Sequence, residues 1–372
     1  MSDVAILGAG LLGRLIAWRL AGQAVRITLF ERGDPEGQGS AAWVAAGMIT
    51  PLAEAVSAEP EVVAMGRAAL ALWPQWLAEL PRPVFFQRAG SLVVHHPRDR
   101  EEMTLFRRRL APHTAELAEA ERPRLLDRIA LGELEPELAA CFAEALLLPG
   151  EGQLDGRALL AVLREGLESR GVDCHWHTPI ADDALPDAQL VIDCRGLGAR
   201  AAVPRLRGVR GEVARVHAPE VSLGRPVRLL HPRYPLYVVP KPGRHFVIGA
   251  TEIESDDDSP VSVRSALELL SAAMVVHPGF AEARILELAA GLRPALSDHR
   301  PAIQLAGPRL LRVNGLYRHG YLLAPLIAGE AAALAGCLLA GGDAEAQRNA
   351  SLWPNLYRHA EMPWTSGSTS NV

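Results

Sequence analysis

Val4-Ala5-Ile6-Leu7-Gly8-Ala9-Gly10-Leu11-Leu12-Gly13, near the start of the chain, is the stretch whose reading decides the fold. Its four leading apolar residues read as a strand covered on both faces, and Leu11 to Leu20 reads as a helix. A second apolar run, Val25 to Glu31, completes a β-α-β unit. In that setting G-x-G-x-x-G is the fingerprint of a dinucleotide site. Gly8 permits the tight turn, Gly10 lets the backbone approach a pyrophosphate, and Gly13 lets helix and strand pack closely. Ala9, Leu11 and Leu12 complete the loop, and the helix start offers free N–H groups and a positive dipole end. Glu31 follows about 20 residues on, placed to accept hydrogen bonds from a ribose diol. Its charge repels a 2′-phosphate, so FAD or NAD is expected rather than NADP.

With 372 residues, 49% of them hydrophobic, the chain can form about two domains with separate cores. A net charge of -5 with dispersed basic residues excludes a long phosphate-neutralising stripe, and nucleic acid is not an expected partner. No basic leader precedes Val4, and no apolar stretch is read as reaching the ~20 residues that span a bilayer, so a cytoplasmic protein without membrane contact is expected. Cys141, Cys174, Cys194 and Cys337 form no C-x-x-C pair, which predicts buried reduced thiols and no metal site.

Further along, Glu61 to Leu80 has helical periodicity, with Leu70, Trp73, Trp76 and Leu77 on its apolar side. Gly90 to His95 reads as a strand, and the charged stretch from Arg98 to Arg128 as solvated helices, Arg107, Arg108 and Arg109 included. Gly156 to Arg170 reads as an amphipathic helix and Leu190 to Cys194 as a buried strand ending on a glycine-bearing turn. Alternation from Gly211 to Ala250 predicts antiparallel sheet. Gly291-Leu292-Arg293-Pro294 reads as a glycine turn, Leu311 to Val313 as a strand, and Gly320 as the start of a long Ala/Leu helix. Nucleotide-domain features therefore recur in three separated pieces. The Ser/Gly/Thr-rich residues 364–372 are expected to be disordered.

The segment Gly39 to Ile49 and a series of later landmarks turn this general reading into a resemblance. The landmarks include Asp193-Cys194-Arg195-Gly196, Leu236-Tyr237-Val238-Val239-Pro240, Ile248-Gly249-Ala250-Thr251, Gly291-Leu292-Arg293-Pro294 and Gly320 to Pro325. Together they resemble the D-amino-acid-oxidase-like family of FAD-dependent oxidoreductases, on its glycine-oxidase branch associated with thiamine biosynthesis, over essentially the whole chain. The resemblance implies an α/β fold: a Rossmann-like FAD-binding domain of the glutathione-reductase-related type, and a discontinuous, mostly antiparallel substrate domain of α+β character. The expected boundaries are 1–80, 149–208 and 294–372 for the first, and 81–148 and 209–293 for the second.

It also implies noncovalent FAD, since no cysteine occupies Gly291 to Pro301 for a tether. Carried over by position, Gly8, Ala9, Gly10, Leu11, Leu12, Gly13, Glu31 and Arg32 belong at the adenosine diphosphate. Ala45, Ala46, Gly47 and Met48 border the flavin, the backbone of Ile180 meets adenine, and Cys194 and Gly196 lie beside them. Arg318, His319, Gly320, Tyr321 and Leu322 belong near the pyrimidine edge, and Arg293 and Leu323 are further cofactor contacts. Ala42 departs from relatives that carry a hydroxyl there, which leaves Ser40 to supply that phosphate contact or leaves it unmade.

The implied chemistry is oxidative deamination of glycine, another small amino acid or a secondary amine by hydride transfer from Cα to flavin N5. Dioxygen is the expected acceptor, giving peroxide. An amine dehydrogenase with another acceptor, and a non-catalytic FAD-binding subunit, are the alternatives, and self-association is left open. Arg293 matches an arginine that grips the substrate carboxylate, a geometry suited to a planar guanidinium, or else caps a turn or pairs with Asp298. Tyr237 holds the substrate by its hydroxyl or packs in a core. The helix from Gly320 aims its N-terminus at the flavin, with Arg318 adding positive charge. Glu252 stands where an apolar residue is usual; facing the substrate, it would favour a cationic amine.

Overall fold

A computed structural model describes residues 2–359 except positions 24 and 234, so the expected disorder of residues 364–372 lies outside the described residues. Ser2–Leu7 lies at the heart of a seven-stranded sheet, hydrogen-bonded in parallel to both Ile27–Phe30 and Ala188–Asp193. The order continues through Leu310–Asn314, Ala302–Gly307 and Tyr357–His359 on one side and ends with Asp173–His175 on the other. Only the Ala302–Gly307 and Leu310–Asn314 pair is antiparallel. Strands distant in sequence thus lie side by side, because each parallel crossover is filled by a helix or by a whole excursion into the second sheet.

Helices Leu11–Leu20, Pro60–Ala78, Gly156–Ser169 and Gly320–Leu339 cover this sheet, and their contacts make the largest core. Leu70, Trp73 and Trp76 are buried, as the periodicity predicts, and Trp73 Nε1 donates to the Tyr321 carbonyl at 2.9 Å. The stretch Tyr317–Leu339 corrects one expectation: its 23 residues are long and apolar enough to cross a membrane. Its sequence reads as shorter because glycines and Glu330 interrupt the apolar run. Here it is the central core helix, with Leu323, Ala324, Ile327, Ala328 and Ala331 fully buried.

The second sheet has eight strands, in the order Arg284–Ala295, Arg207–His217, His245–Gly249, Leu236–Lys241, Val227–Leu230, Ser91–His95, Glu144–Leu148 and Arg124–Asp127. All its pairs are antiparallel except Val227–Leu230 with Ser91–His95. Helix Val263–Val276 packs on one face, burying Leu269, Ala273 and Val276. The charged stretch from Arg98 to Arg128 holds one 11-residue helix, Arg100–Leu110, short turns and the edge strand Arg124–Asp127 rather than a series of helices; Arg107, Arg108 and Arg109 are exposed. Met103, Phe106 and Leu110 anchor that helix. A three-stranded sheet of Met48–Ile49, Gly152–Leu154 and Phe86–Gln87 joins the two halves.

Gly291-Leu292-Arg293-Pro294 is not a turn. It lies within the edge strand Arg284–Ala295, in register with Arg207–His217 so that Gly291 faces Gly211 and Arg293 faces Val209. An edge position tolerates Pro294, whose missing donor interrupts no ladder on the open side. The four cysteines are free, as expected, but only half-buried.

Candidate active site

One cavity of about 1750 Å³ runs from the glycine loop to the second sheet. That exceeds the roughly 300–1,000 Å³ of an ordinary small-ligand pocket, as a dinucleotide lying end to end with a substrate requires. At its first end the backbone turns at Gly8 with φ +90°, where a Cβ would come within 2.8 Å of Arg195 Cα. A Cβ on Gly13 would lie 1.9 Å from the Gly8 carbonyl, so that glycine seals helix to strand and does not face the cavity. Beside Gly10 the space is open, with nothing nearer than Ser40 Cβ at 3.9 Å. The loop therefore has the one close-approach face that a pyrophosphate needs, which fits the group.

Glu31 is at the end of its strand and binds the loop from the side. Its carboxylate accepts from Ala9 N–H at 2.6 Å and Gly33 N–H at 2.8 Å, while remaining on the cavity wall with exposed Arg32. Ser40 also lines the cavity, but its hydroxyl donates to the Gly37 carbonyl at 2.7 Å and accepts from Trp43 N–H at 3.3 Å, capping the short helix Ala41–Val44. The hydroxyl thus serves the turn that carries Ala42. Ile180, Cys194 and Gly196 face the same end, and burial raises the Cys194 thiol pKa well above its ordinary value.

Several arginines that build this end escaped the sequence reading. Arg14 is wholly buried and donates to the carbonyls of Ala9 at 2.6 Å, Leu160 at 2.7 Å and Pro35 at 2.8 Å, tying the glycine loop to two other segments. Burial lowers its pKa to about 10. Its signal in the sequence is faint, since the same apolar helix also carries Arg19. Arg195 donates to Asp193 and, at 2.7 Å, to the Ile180 carbonyl. Arg215 donates to the Trp43 carbonyl at 3.0 Å and reaches those of Val44 and Ala45 at 3.3 Å, and Arg157 donates to Trp43 at 3.1 Å. These two guanidiniums fix the segment that leads into Ala45, Ala46, Gly47 and Met48, all four on the cavity wall.

At the far end, the structure brings together Arg293, Tyr237, Glu252, Arg318, His319, Gly320, Tyr321 and Leu322, whereas Leu323 points into the core with no exposure. Arg293 lies over Gly211, where a Cβ would meet its Nη2 at 2.3 Å; the glycine makes room for the guanidinium. It donates to the carbonyls of Arg210 at 3.2 Å and Thr251 at 3.1 Å and forms no ion pair among the described residues. Asp298 pairs with Arg358 instead, at 2.9 Å. Tyr237 lines the cavity with its hydroxyl near Gly249, and burial raises its pKa.

Arg318 is not a free charge. Its Nε lies 2.8 Å from Glu54, and its Nη1 donates to Glu252 at 2.9 Å. Burial would raise the Glu54 pKa, but Arg318 and Arg228, the latter at 3.3 Å, outweigh it and hold the group at about 2. Neither Glu54 nor Arg228 carried a signal in the sequence. Glu252 also accepts from the Tyr317 hydroxyl at 2.7 Å, so its charge is answered by protein partners. Burial lowers the His319 pKa to about 4, leaving a neutral ring at the start of a 20-residue helix that no side chain caps. Uncapped N–H groups at a long helix start favour developing negative charge on whatever lies before them.

Comparison with known proteins places this cavity in a family. ThiO of Rhizobium etli, whose name assigns it provisionally to thiamine biosynthesis as an oxidoreductase, is 45% identical over 325 residues, covering 87% of this chain and 94% of the relative. The glycine oxidase of Geobacillus kaustophilus is 29% identical over 354 residues, covering 87% and 90%. The crystal structure of glycine oxidase from Geobacillus kaustophilus superposes with a TM-score of 0.79 at 25% identity, covering 97% of this chain and 99% of that one. Iminodiacetate oxidase from Chelativorans sp. BNC1 shares the fold, with a TM-score of 0.79 at 24% identity and 96% and 100% coverage. The family model for FAD dependent oxidoreductases matches residues 3–334, and the chain belongs to that family, as an enzyme of the glycine oxidase and ThiO type that uses FAD.

Proposed function

We propose that this enzyme oxidatively deaminates glycine or another small amino acid or secondary amine, with FAD held noncovalently along the cavity. Amino acid, water and dioxygen become the oxo acid, ammonia and peroxide. The observation that carries the reading is Arg293, a cavity-facing guanidinium with no ion-pair partner among the described residues. A substrate carboxylate supplies the missing charge in two-pronged fashion. Bound FAD supplies the acceptor for the electrons that leave the substrate Cα. Tyr237 steadies the substrate through its hydroxyl, and the uncapped helix start at Gly320 faces the charge that develops across the cavity.

Segments 1–80, 149–208 and 294–372 form the FAD-binding domain in this reading, and 81–148 with 209–293 the substrate domain. In its support, those boundaries separate the seven-stranded from the eight-stranded sheet, cutting Arg207–His217 and Arg284–Ala295 only near their ends. A cytoplasmic location goes with the reading, supported by the burial of Tyr317–Leu339 inside the fold. The test is anaerobic mixing of the yellow protein with glycine, sarcosine and D-alanine while following absorbance near ~450 nm, since bleaching reports electron transfer to the flavin. Bleaching by at least one, followed by peroxide formation on aeration, is the expected result. Failure of every amine to bleach the flavin would overturn the reading.

A further inference from the structure

Two neighbouring residues each hold one of the arginines at the substrate end. The Thr251 carbonyl accepts from Arg293 Nη2 at 3.1 Å, and the Glu252 carboxylate accepts from Arg318 Nη1 at 2.9 Å. Glu54 takes the other side of Arg318 and also binds Arg228, so two carboxylates stand against two arginines and cancel. Of the arginines in this cluster, Arg293 is the one that forms no ion pair among the described residues. Within this cluster three arginines, Arg228, Arg293 and Arg318, stand against two carboxylates, Glu54 and Glu252.

We infer that Glu252 is a specificity-determining residue that restricts the enzyme to substrates with a single carboxylate. The inference rests on the reading above that Arg293 grips the substrate carboxylate. Arg318 lies on the same cavity wall with Nε against Glu54 and Nη2 on the Ser57 hydroxyl, so Nη1 is its donor for a second carboxylate, and Glu252 already occupies it. A dicarboxylic amine entering there meets a neutralised arginine and the charge of Glu252 itself, whose side chain is 48% exposed and open to an incoming ligand. Discrimination of this kind comes from a repulsive element built against the wrong partner.

The test compares matched pairs that differ by one carboxylate, sarcosine with iminodiacetate and D-alanine with D-aspartate, in the wild-type holoenzyme, Glu252→Ala and Glu252→Gln. In Glu252→Ala the ratio of kcat/KM between mono- and dicarboxylate should fall by about tenfold or more, chiefly through KM for the dicarboxylate. Glu252→Gln, which keeps the shape and a link to Tyr317, should shift the ratio in the same direction and serves if the alanine variant does not fold. A second readout needs no turnover: spectral titration of the bound flavin with acetate and malonate, where malonate should gain about tenfold over acetate in the variants. Unchanged ratios in both variants, or wild-type enzyme that already takes iminodiacetate as well as sarcosine, would overturn the inference. If no amine reduces the flavin, the functional reading fails, while the acetate and malonate titration still decides the role of Glu252.

Discussion

Glu54 and Arg318 form an ion pair inside the cavity wall, Oε2 to Nε 2.8 Å, with the Glu54 side chain only 16% exposed. The two residues are joined by no local pattern, yet Arg318 in turn reaches Glu252 and Glu54 reaches Arg228. The charge balance of the substrate end depends on this cluster.

Its consequence is an acid limb. A carboxylate held at about 2 in the folded protein, against 4.5 ordinarily, adds stability that is complete above pH 4.5 and is lost as pH falls toward 2. Glu54→Gln should remove that contribution, leaving Arg228 without its ion pair and Arg318 with Glu252 alone, and lower stability at pH 7 by on the order of 3 kcal/mol. Denaturant midpoints measured from pH 3 to pH 7 check this. A variant as stable as wild type at pH 7 would contradict it.

Arg293→Ala should cost about 2–3 kcal/mol of carboxylate binding, equivalent to a dissociation constant about 30- to 150-fold weaker for acetate. Glycine ethyl ester, which lacks the carboxylate, should be affected far less. Equal losses for glycine and the ester would assign Arg293 a structural role.

Glu31→Ala removes the acceptor for Ala9 and Gly33 N–H as well as the expected ribose contact. The purified variant should carry markedly less FAD, measured as the ratio of flavin to protein absorbance. Undiminished yellow colour would separate Glu31 from the cofactor.

Glu151 is fully buried, accepting from Ala53 N–H at 2.7 Å and from the Ser91 hydroxyl, and burial raises its pKa to about 7. A raised carboxylate pKa means that the folded state holds the extra proton between about 4.5 and 7, so stability falls as pH rises through that window. Glu151→Gln should flatten the fall by about 1–3 kcal/mol and match or exceed wild type at pH 8. Thermal midpoints at pH 5, 6, 7 and 8 give the comparison; parallel curves would refute the assignment.

The sequence by itself determined the nucleotide end. Strand, glycine loop, helix and Glu31 lie within one short stretch of chain, and local sterics fix them: Gly8 must turn with positive φ, and Gly13 must lack a side chain. The long helices were legible for the same reason, since their apolar spacing is a local property. Arg293, Tyr237 and Arg318 were found by resemblance, but their settings were not. Arg293 reads as part of a turn because glycine and proline flank it, while the structure uses both in an edge strand, Gly291 where a Cβ would lie 3.0 Å from the Val44 side chain and Pro294 where no donor is needed.

Only the tertiary structure decided which charges meet. Arg318 finds Glu54 across most of the chain and Glu252 from another strand's end, Arg215 reaches back to the carbonyls of residues 43–45, and Arg14 spans to Leu160. Such pairings leave no period or spacing in the sequence, because burial of the whole fold sets them. An ion pair is selected by the position of a partner and by the loss of water around it, and both exist only once the two sheets have closed over the cavity.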